Sequence, residues 1–188
     1  MTSNTQNIIV MEENKIDPRR RWIKESLYNL ENSFNVVIDD NDRVIIYGNI
    51  MIPYVYNDLQ YKIDEIFGNV IVDNVQEPVK YGNLSSLRNF PTIIHGDFIC
   101  KLNPNLKTLK GGPEKVEGNF VCADCGLETI EHLPKYIGGN LDIYNNNIKD
   151  LSPIENSKIV GLIDVQFNQC ENTKTYNKLL KENKISFA

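Results

Sequence analysis

Four stretches of this chain open on glycine and then alternate between apolar and variable residues: GDFIC at Gly96, GNFVC at Gly118, GNLDI at Gly139 and GLIDV at Gly161. Their starts lie 22, 21 and 22 residues apart. Recurrence at a short fixed period constrains the fold to a solenoid. A unit of this size cannot bury its apolar side alone and must stack on its neighbours. Two earlier stretches carry the same pattern, GNIMI at Gly48 and GNVIV at Gly68, which start 20 residues apart. Gly68 and Gly96 are separated by 28, so a surplus lies within residues 73–95, where Pro78, Gly82 and Pro91 mark loops. Insertions in repeat arrays fall in loops on one face, often the binding face.

The flanks read as array ends. Residues 1–14 are polar apart from Ile8, Ile9, Val10 and Met11, an arm able to add one short strand. Asp17-Pro18 supplies an N-cap and a proline at the first helical position. Trp22, Ile23, Leu27 and Leu30 follow at helical spacing, which predicts a helix to about Asn32. Residues 34–47 are two β-branched runs around Asp39-Asp40-Asn41-Asp42, the pattern of a hairpin. That acidic cluster lacks the sixth-position Gly and twelfth-position Glu of a calcium loop. Thr173–Asn183 carries Tyr176, Leu179 and Leu180 on one side and lysines on the other, which predicts a second helix. An exposed repeat end leaves core uncovered, so both helices are expected as caps. The organisation is then an arm, capping helix and hairpin over 1–47, a solenoid over 48–170, and a capping helix over 171–188.

Within a unit, alternation after the glycine makes a short strand with one buried face, and stacked strands form a parallel sheet. The glycine is expected to need a positive φ for re-entry into the strand. Past the strand the pattern continues, as in Phe120-x-Cys122-x-x-Cys125-x-Leu127-x-x-Ile130 and Leu141-x-Ile143-x-x-Asn146-x-Ile148-x-x-Leu151. The Asn or Cys at the bend is expected to point inward and bond the backbone there. These lines resemble the leucine-rich repeat, L-x-L-x-x-N/C-x-L. The resemblance runs from about Gly48 to Cys170 and departs in the first two units, where Tyr54-Val55-Tyr56 and Asn74-Val75 put no Asn at the bend. It implies an α/β solenoid, a leucine-rich-repeat-like stack of short parallel strands with helical caps at both ends. In wording, the stretch from Gly111 to Leu151 also resembles the short Gly-Asn repeats of small bacteriophage-encoded proteins. That resemblance implies a viral protein in the host cytoplasm that binds and inhibits or redirects a host protein, such as a defence protein.

The residue types that carry chemistry are absorbed by the repeat. Cys122-Ala-Asp-Cys125 has redox or zinc spacing. In register, however, Cys100 and Cys122 stand where other units have Val72, Ile143 and Val165, Cys125 stands where they have Asn103, Asn146 and Asn168, and Cys170 stands with Leu127 and Ile148. Free cysteine packs as a small hydrophobe, and no second pair completes a tetrahedral site. His95 and His132 belong to no recognisable constellation, although a Cys122, Cys125 and His132 metal enzyme is the competing hypothesis. No cofactor is expected. A net charge of −5 with no basic stripe argues against nucleic-acid binding through phosphates. The chain has no apolar run of membrane-spanning length and no signal-like start, and four cysteines without one fit the cytoplasm.

The register also predicts what faces outward. Met51, Ile71, Ile99, Val121, Asp142 and Asp164 form one column on the concave sheet, and Pro53, Asp73, Lys101, Ala123, Tyr144 and Gln166 form the next. The face is apolar over four units and acidic over the last two. A contiguous apolar line on a solvent face marks an interaction surface. The expected function is non-enzymatic protein binding through Met51, Ile71, Asp73, Ile99, Lys101, Val121, Asp142, Tyr144, Asp164 and Gln166. The alternative is assembly of a homo-oligomer through the apolar column.

Overall fold

The computed structural model describes residues 16–27, 34–53, 55–73 and 81–186. The chain winds as a parallel β-solenoid of about five turns with few helices. The pattern after each glycine predicts one strand per unit, and the structure has two. The residues after the glycines form a six-stranded sheet, here sheet A: β3 (Ile50–Pro53), β5 (Val70–Asp73), β7 (Phe98–Cys100), β9 (Phe120–Val121), β11 (Leu141–Asp142) and β13 (Ile163–Asp164). The residues before them form a seven-stranded sheet, here sheet B: β1 (Asn35–Ile38), β2 (Val44–Tyr47), β4 (Glu65–Phe67), β6 (Ile93–Ile94), β8 (Lys115–Val116), β10 (Tyr136–Ile137) and β12 (Lys158–Ile159). All neighbours pair in parallel except β1 and β2, the predicted hairpin. Its acidic cluster builds the turn: Asp39 Oδ1 accepts from the N–H groups of Asn41 and Arg43 at 2.9 and 3.0 Å.

The two sheets meet at the Gly-Asn corner, and this corner explains the glycine. Among the described repeat glycines only Gly48 has a positive φ, at 117°, so the expected left-handed re-entry does not hold along the array. The constraint is close approach. A Cβ on Gly118 would sit 2.8 Å from the carbonyl carbon and oxygen of Gly96, and one on Gly161 would sit 2.7 Å from the oxygen of Gly139. Such contacts fall inside van der Waals separation. A left-handed residue does recur, but elsewhere: Leu102, Asp124, Asn145 and Phe167, one per unit from Gly96 onward, stand just before the bend position.

Two side-chain ladders hold successive turns. At the corner, Asn49 Oδ1 accepts from Asn69 N–H (2.8 Å), Asn69 Oδ1 from Asp97 N–H (2.7 Å) and Asp97 Oδ1 from Asn119 N–H (2.6 Å). Asn119 Oδ1 then accepts from Asn140 N–H (2.9 Å), and Asn140 Oδ1 from Leu162 N–H (2.8 Å), where the side chain can pass the ladder no further. At the bend, buried Asn146 donates to the carbonyls of Cys122, Ile143 and Tyr144 and accepts from Leu127 N–H. Asn168 repeats this with Ile143, Val165, Gln166 and Ile148. Cys125 occupies the same place, its thiol 3.6 Å from the Cys100 carbonyl and 3.4 Å from that of Ala123. Buried polar groups of the bend are thus satisfied from within the repeat.

Inside, one apolar cluster runs from Ile23 to Ile185. Its inward rows include the stacked pair Phe98 and Phe120, ring centres 5.0 Å apart. The surplus after Gly68 is confined by register. Leu84 N–H bonds Asn103 Oδ1, the bond that Leu127 makes to Asn146, so regular winding has resumed by Leu84. Leu84 follows Gly68 by 16 positions, whereas Leu127 follows Gly118 by 9, which places the insertion before Leu84. Residues 74–80 within it lie outside the described residues, as do the arm over 1–14, Leu30 and Tyr54.

Helix α1 (Pro18–Ser26) begins as predicted, with Asp17 Oδ1 accepting from Arg19 N–H at 2.8 Å. It ends earlier than predicted, because Leu27 turns extended while remaining buried. Helix α2 (Lys174–Lys181) is capped by Thr173, and its Leu179 enters the core. After it the chain returns to sheet A. Ile163 N–H bonds Lys184 O and Ser186 N–H bonds Ile163 O, so Ile185 lies in parallel beside β13. The Lys184 ammonium donates to the carbonyls of Val160 (2.9 Å), Gly161 (3.2 Å) and Ile159 (3.4 Å), and the last two are the acceptors a further turn would have used. At the other end of sheet A, β3 closes on Pro53, which has no N–H to offer an added strand.

Replacing Asn146 with Ala leaves a buried N–H and several buried carbonyls without their partner. Urea unfolding is expected to show a loss of about 2 kcal/mol or more. Cys125→Asn restores the residue used at the same place in other units and is expected to fold with stability equal to or above the parent. If Asn146→Ala were neutral, or Cys125→Asn failed to fold, the bend ladder would not be the device described.

Candidate protein-binding face

The register of sheet A puts the predicted outward column in a single line. Met51 pairs with Ile71, Ile71 with Ile99, Ile99 with Val121, Val121 with Asp142, and Asp142 with Asp164. Each lies between inward residues that are buried, such as Phe98 and Cys100 around Ile99. Parallel rungs about 4.8 Å apart crowd equivalent side chains against one another. All six are therefore half-buried rather than bare. None of the four apolar members is as exposed as Tyr47 or Phe67 on sheet B, at 47% and 42%.

Beside that column, Pro53 pairs with Asp73, whose side chain lies outside the described residues. Lys101 is exposed, Ala123 is buried at 3%, and Tyr144 and Gln166 are half-buried. Ala123 was expected outward. It falls in the line of larger residues, and a methyl between them has nothing left to expose. The face ends in aromatic surface, where Tyr144 meets Phe167 edge to face at 5.0 Å. Phe167 is 65% exposed and holds a φ of +54°, a conformation a bulky side chain rarely adopts.

The acidic end is electrostatically uncomfortable. Asp142 Oδ1 accepts from Tyr144 N–H and Asp164 Oδ1 from Gln166 N–H, each at 3.0 Å. These Asx bonds fix the carboxylates but do not neutralise them. Burial pushes the Asp142 carboxyl above its ordinary range, the Tyr144 amide opposes this, and the Asp164 charge adds to it. A shallow depression of about 180 Å³ lies there, lined by Asn140, Leu141, Asp142, Leu162, Asp164 and Ser186.

Sequence reasoning missed a second ordered surface, the outward face of sheet B. The residues just before the repeat glycines form a line: Tyr47, Phe67, His95 and Glu117. Tyr47 stacks on Phe67 at 4.9 Å and 7°, and Phe67 on His95 at 4.2 Å and 9°. The His95 ring nitrogens face Glu65 Oε1 at 2.8 Å and Glu117 Oε2 at 3.0 Å. Lys115 bonds Glu117 at 2.8 Å, and Arg43 lies 3.5 Å from Glu65. The signal was present in the sequence. Ile46, Ile66, Ile94, Val116, Ile137 and Ile159 each stand two places before a glycine or its equivalent, the mark of a second strand.

The remaining reactive types are placed without convergence. All four cysteines are free and buried, and burial pushes the Cys122 and Cys170 thiols up, away from the reactive thiolate. His132 is exposed on the loop side of the array, in a groove of about 530 Å³ with Glu131 and the Glu114–Lys135 ion pair, and Cys122 does not line that groove. Among the described residues no group of three or more His, Cys, Asp and Glu side chains is arranged to hold a metal ion. Nor is any helix among them long and apolar enough to cross a membrane.

Asp142 gives a pH test with a defined sign. Its folded-state pKa is raised, so the folded form binds the proton more tightly than the unfolded form does. Stability at this site therefore falls as pH rises from below the ordinary value of 3.8 through the raised one. Asp142→Asn keeps an oxygen for the Tyr144 amide and removes the charge. It is expected to raise the melting temperature at pH 7, with the gain shrinking towards pH 4 and below. A variant less stable than the parent at pH 7 would contradict the reading of Asp142 as a strained charge.

Comparison with protein-family models, with curated proteins and with solved structures found no match to this chain.

Proposed function

We propose that this chain is a non-enzymatic protein-binding module that meets its partner through the outward face of sheet A. The observation that carries the reading is the single line from Met51 through Val121 into Asp142 and Asp164. Regularly spaced apolar side chains on a stiff sheet supply buried area with little entropy to lose, and the acidic end supplies register. The partner is then a protein with an apolar strip beside basic side chains, the basic end lying over Asp142 and Asp164. Tyr144 and Phe167 serve as aromatic anchors at that end, the residue type that dominates interface energetics. Asp73, Lys101 and Gln166 are assigned to the polar rim.

In this reading the array is a leucine-rich-repeat-like solenoid, α1 and α2 cap its ends, and the bend asparagines play the part the consensus Asn plays. The wording of the repeat supports a small phage protein acting in the host cytoplasm on a host protein, with inhibition or redirection of a defence component as its role. Neither nucleic acid nor membrane is assigned as a partner, and no cofactor is required. Self-association through the apolar line is the competing outcome.

The test pairs two variants. Ile99→Glu with Val121→Glu places charge in the middle of the line, and Asp142→Lys with Asp164→Lys inverts its acidic end. Partners are captured from host cells and identified by mass spectrometry, with circular dichroism melts and light scattering on the same preparations. The expected result is a protein retained by the parent and lost from both folded variants, with the parent monomeric. A parent that dimerises and loses the dimer on Ile99→Glu and Val121→Glu would replace this reading with homo-oligomer assembly. A partner retained by both folded variants would move the interface off sheet A.

A further inference from the structure

We propose that His95 is a proton-operated clasp across three successive rungs of sheet B, closed when its ring carries two N–H protons and open towards Glu117 when it carries one. The geometry alone demands the closed form's protonation. Nε2 lies 2.8 Å from Glu65 Oε1 on β4, and Nδ1 lies 3.0 Å from Glu117 Oε2 just after β8. A neutral imidazole offers one donor and one lone pair. Whichever tautomer forms, a lone pair then faces a carboxylate oxygen at hydrogen-bond distance, which is repulsive. The imidazolium has two donors and satisfies both.

The other face of the ring supports the same charge state. His95 lies flat on Phe67, which lies flat on Tyr47. A cation over an aromatic face is attracted by the ring quadrupole. The charged groups that surround the clasp are Glu65 from β4, Glu117 and Lys115 from the β8 rung, and Arg43 from ahead of β2. The hydrogen bond to Glu65, reinforced by Glu117 and opposed by partial burial, raises the His95 pKa above its ordinary 6.5.

What makes this a switch and not a fixed strut is that both carboxylates have a second cation. Glu117 keeps Lys115 at 2.8 Å and Glu65 keeps Arg43 at 3.5 Å when the proton leaves. The open form therefore strands no carboxylate. The ring is 24% exposed, so the proton exchanges with solvent without unfolding. Opening releases one side-chain tie across the outer surface of β6 and β8, whose backbone pairing stays, and removes the positive charge that covers Phe67. The linkage has one sign. With the folded-state pKa raised, the clasp's contribution is complete below 6.5 and is lost as pH rises through the folded value. This device lies on the sheet opposite the proposed binding face and stands whether or not that face binds a protein.

The experiment follows the full chain by NMR from pH 5 to pH 9 in a His132→Asn background, which leaves His95 as the only imidazole. The His95 ring is expected to titrate above 6.5, and the carboxyl carbon of Glu117 to show an inflection at the same pH. Glu117→Gln and Glu65→Gln are each expected to move the ring's midpoint downward. The melting temperature of His95→Phe, which keeps an aromatic ring on Phe67, is expected to approach that of the parent as pH rises through the midpoint. A ring that titrates at or below 6.5, or a Glu117 signal with no inflection at the His95 midpoint, would overturn the clasp. If His95→Phe does not fold, the two Gln variants decide alone: an unmoved midpoint in both overturns it.

Discussion

The structure depends on one side chain handing its oxygen to the next turn's backbone. At each corner, the side-chain oxygen of an Asn or Asp accepts the backbone N–H of its counterpart one turn later, from Asn49 to Leu162. The strands on either side are only two to four residues long, too short to hold a sheet by themselves. A net hydrogen bond contributes about 1 kcal/mol, and the corner bonds are part-buried or exposed, so together they add only a few kcal/mol. The corner bonds therefore act chiefly by forbidding any other packing distance. Glycine is required beside them because successive corners approach so closely that a Cβ would enter the preceding carbonyl. The bend ladder through Asn103, Cys125, Asn146 and Asn168 does the same on the far side of sheet A.

Rigid corners decide what the surface can do. With inward letters fixed by packing, the outward positions of both sheets are free to vary in register. Sheet A presents an apolar line that turns acidic, whereas sheet B presents stacked rings that run into interlocked charges. A side chain in such a line has its neighbours at fixed spacing on both sides, so its exposure and electrostatics are set by the array. Ala123 disappears between larger neighbours for this reason, and Asp142 carries a raised pKa for the same reason. Closure of the array is equally specific. Lys184 gives one ammonium to three carbonyls at the last corner, two of them left over by the winding, and Pro53 withholds an amide at the first strand of sheet A.

How much of this was legible in the sequence differs by residue class. The glycine period gave the winding, and the alternation after it gave sheet A and its inward and outward faces, including the core placement of all four cysteines. The bend role of Asn146 and Asn168 was legible because the position recurs. Sheet B was not read beyond its hairpin of β1 and β2, although the apolar residues before the glycines recur as faithfully, because from β6 onward its strands are two residues long with one inward residue each, whereas in sheet A the alternation continues past the strand into the bend. The expected left-handed glycine holds at Gly48 and fails along the rest of the array. Sequence shows that a side chain is absent but not whether torsion or a neighbour's backbone excludes it. The left-handed places fell to Leu102 and Phe167, which have no intrinsic preference for them, so the array imposes the conformation. His95 had no visible constellation because its partners, Glu65 and Glu117, lie 30 and 22 residues away and meet it only through the winding.

The most direct measurement of the account is amide hydrogen exchange at the corner acceptors' partners: Asn69, Asp97, Asn119, Asn140 and Leu162. None of these residues belongs to a strand. If side-chain oxygens at the corners hold the turns together, these amides exchange as slowly as those of the buried strand residues Phe98 and Phe120, and opening requires global unfolding. Exchange at the rate of an open loop at these positions, with strand amides still protected, would contradict the account.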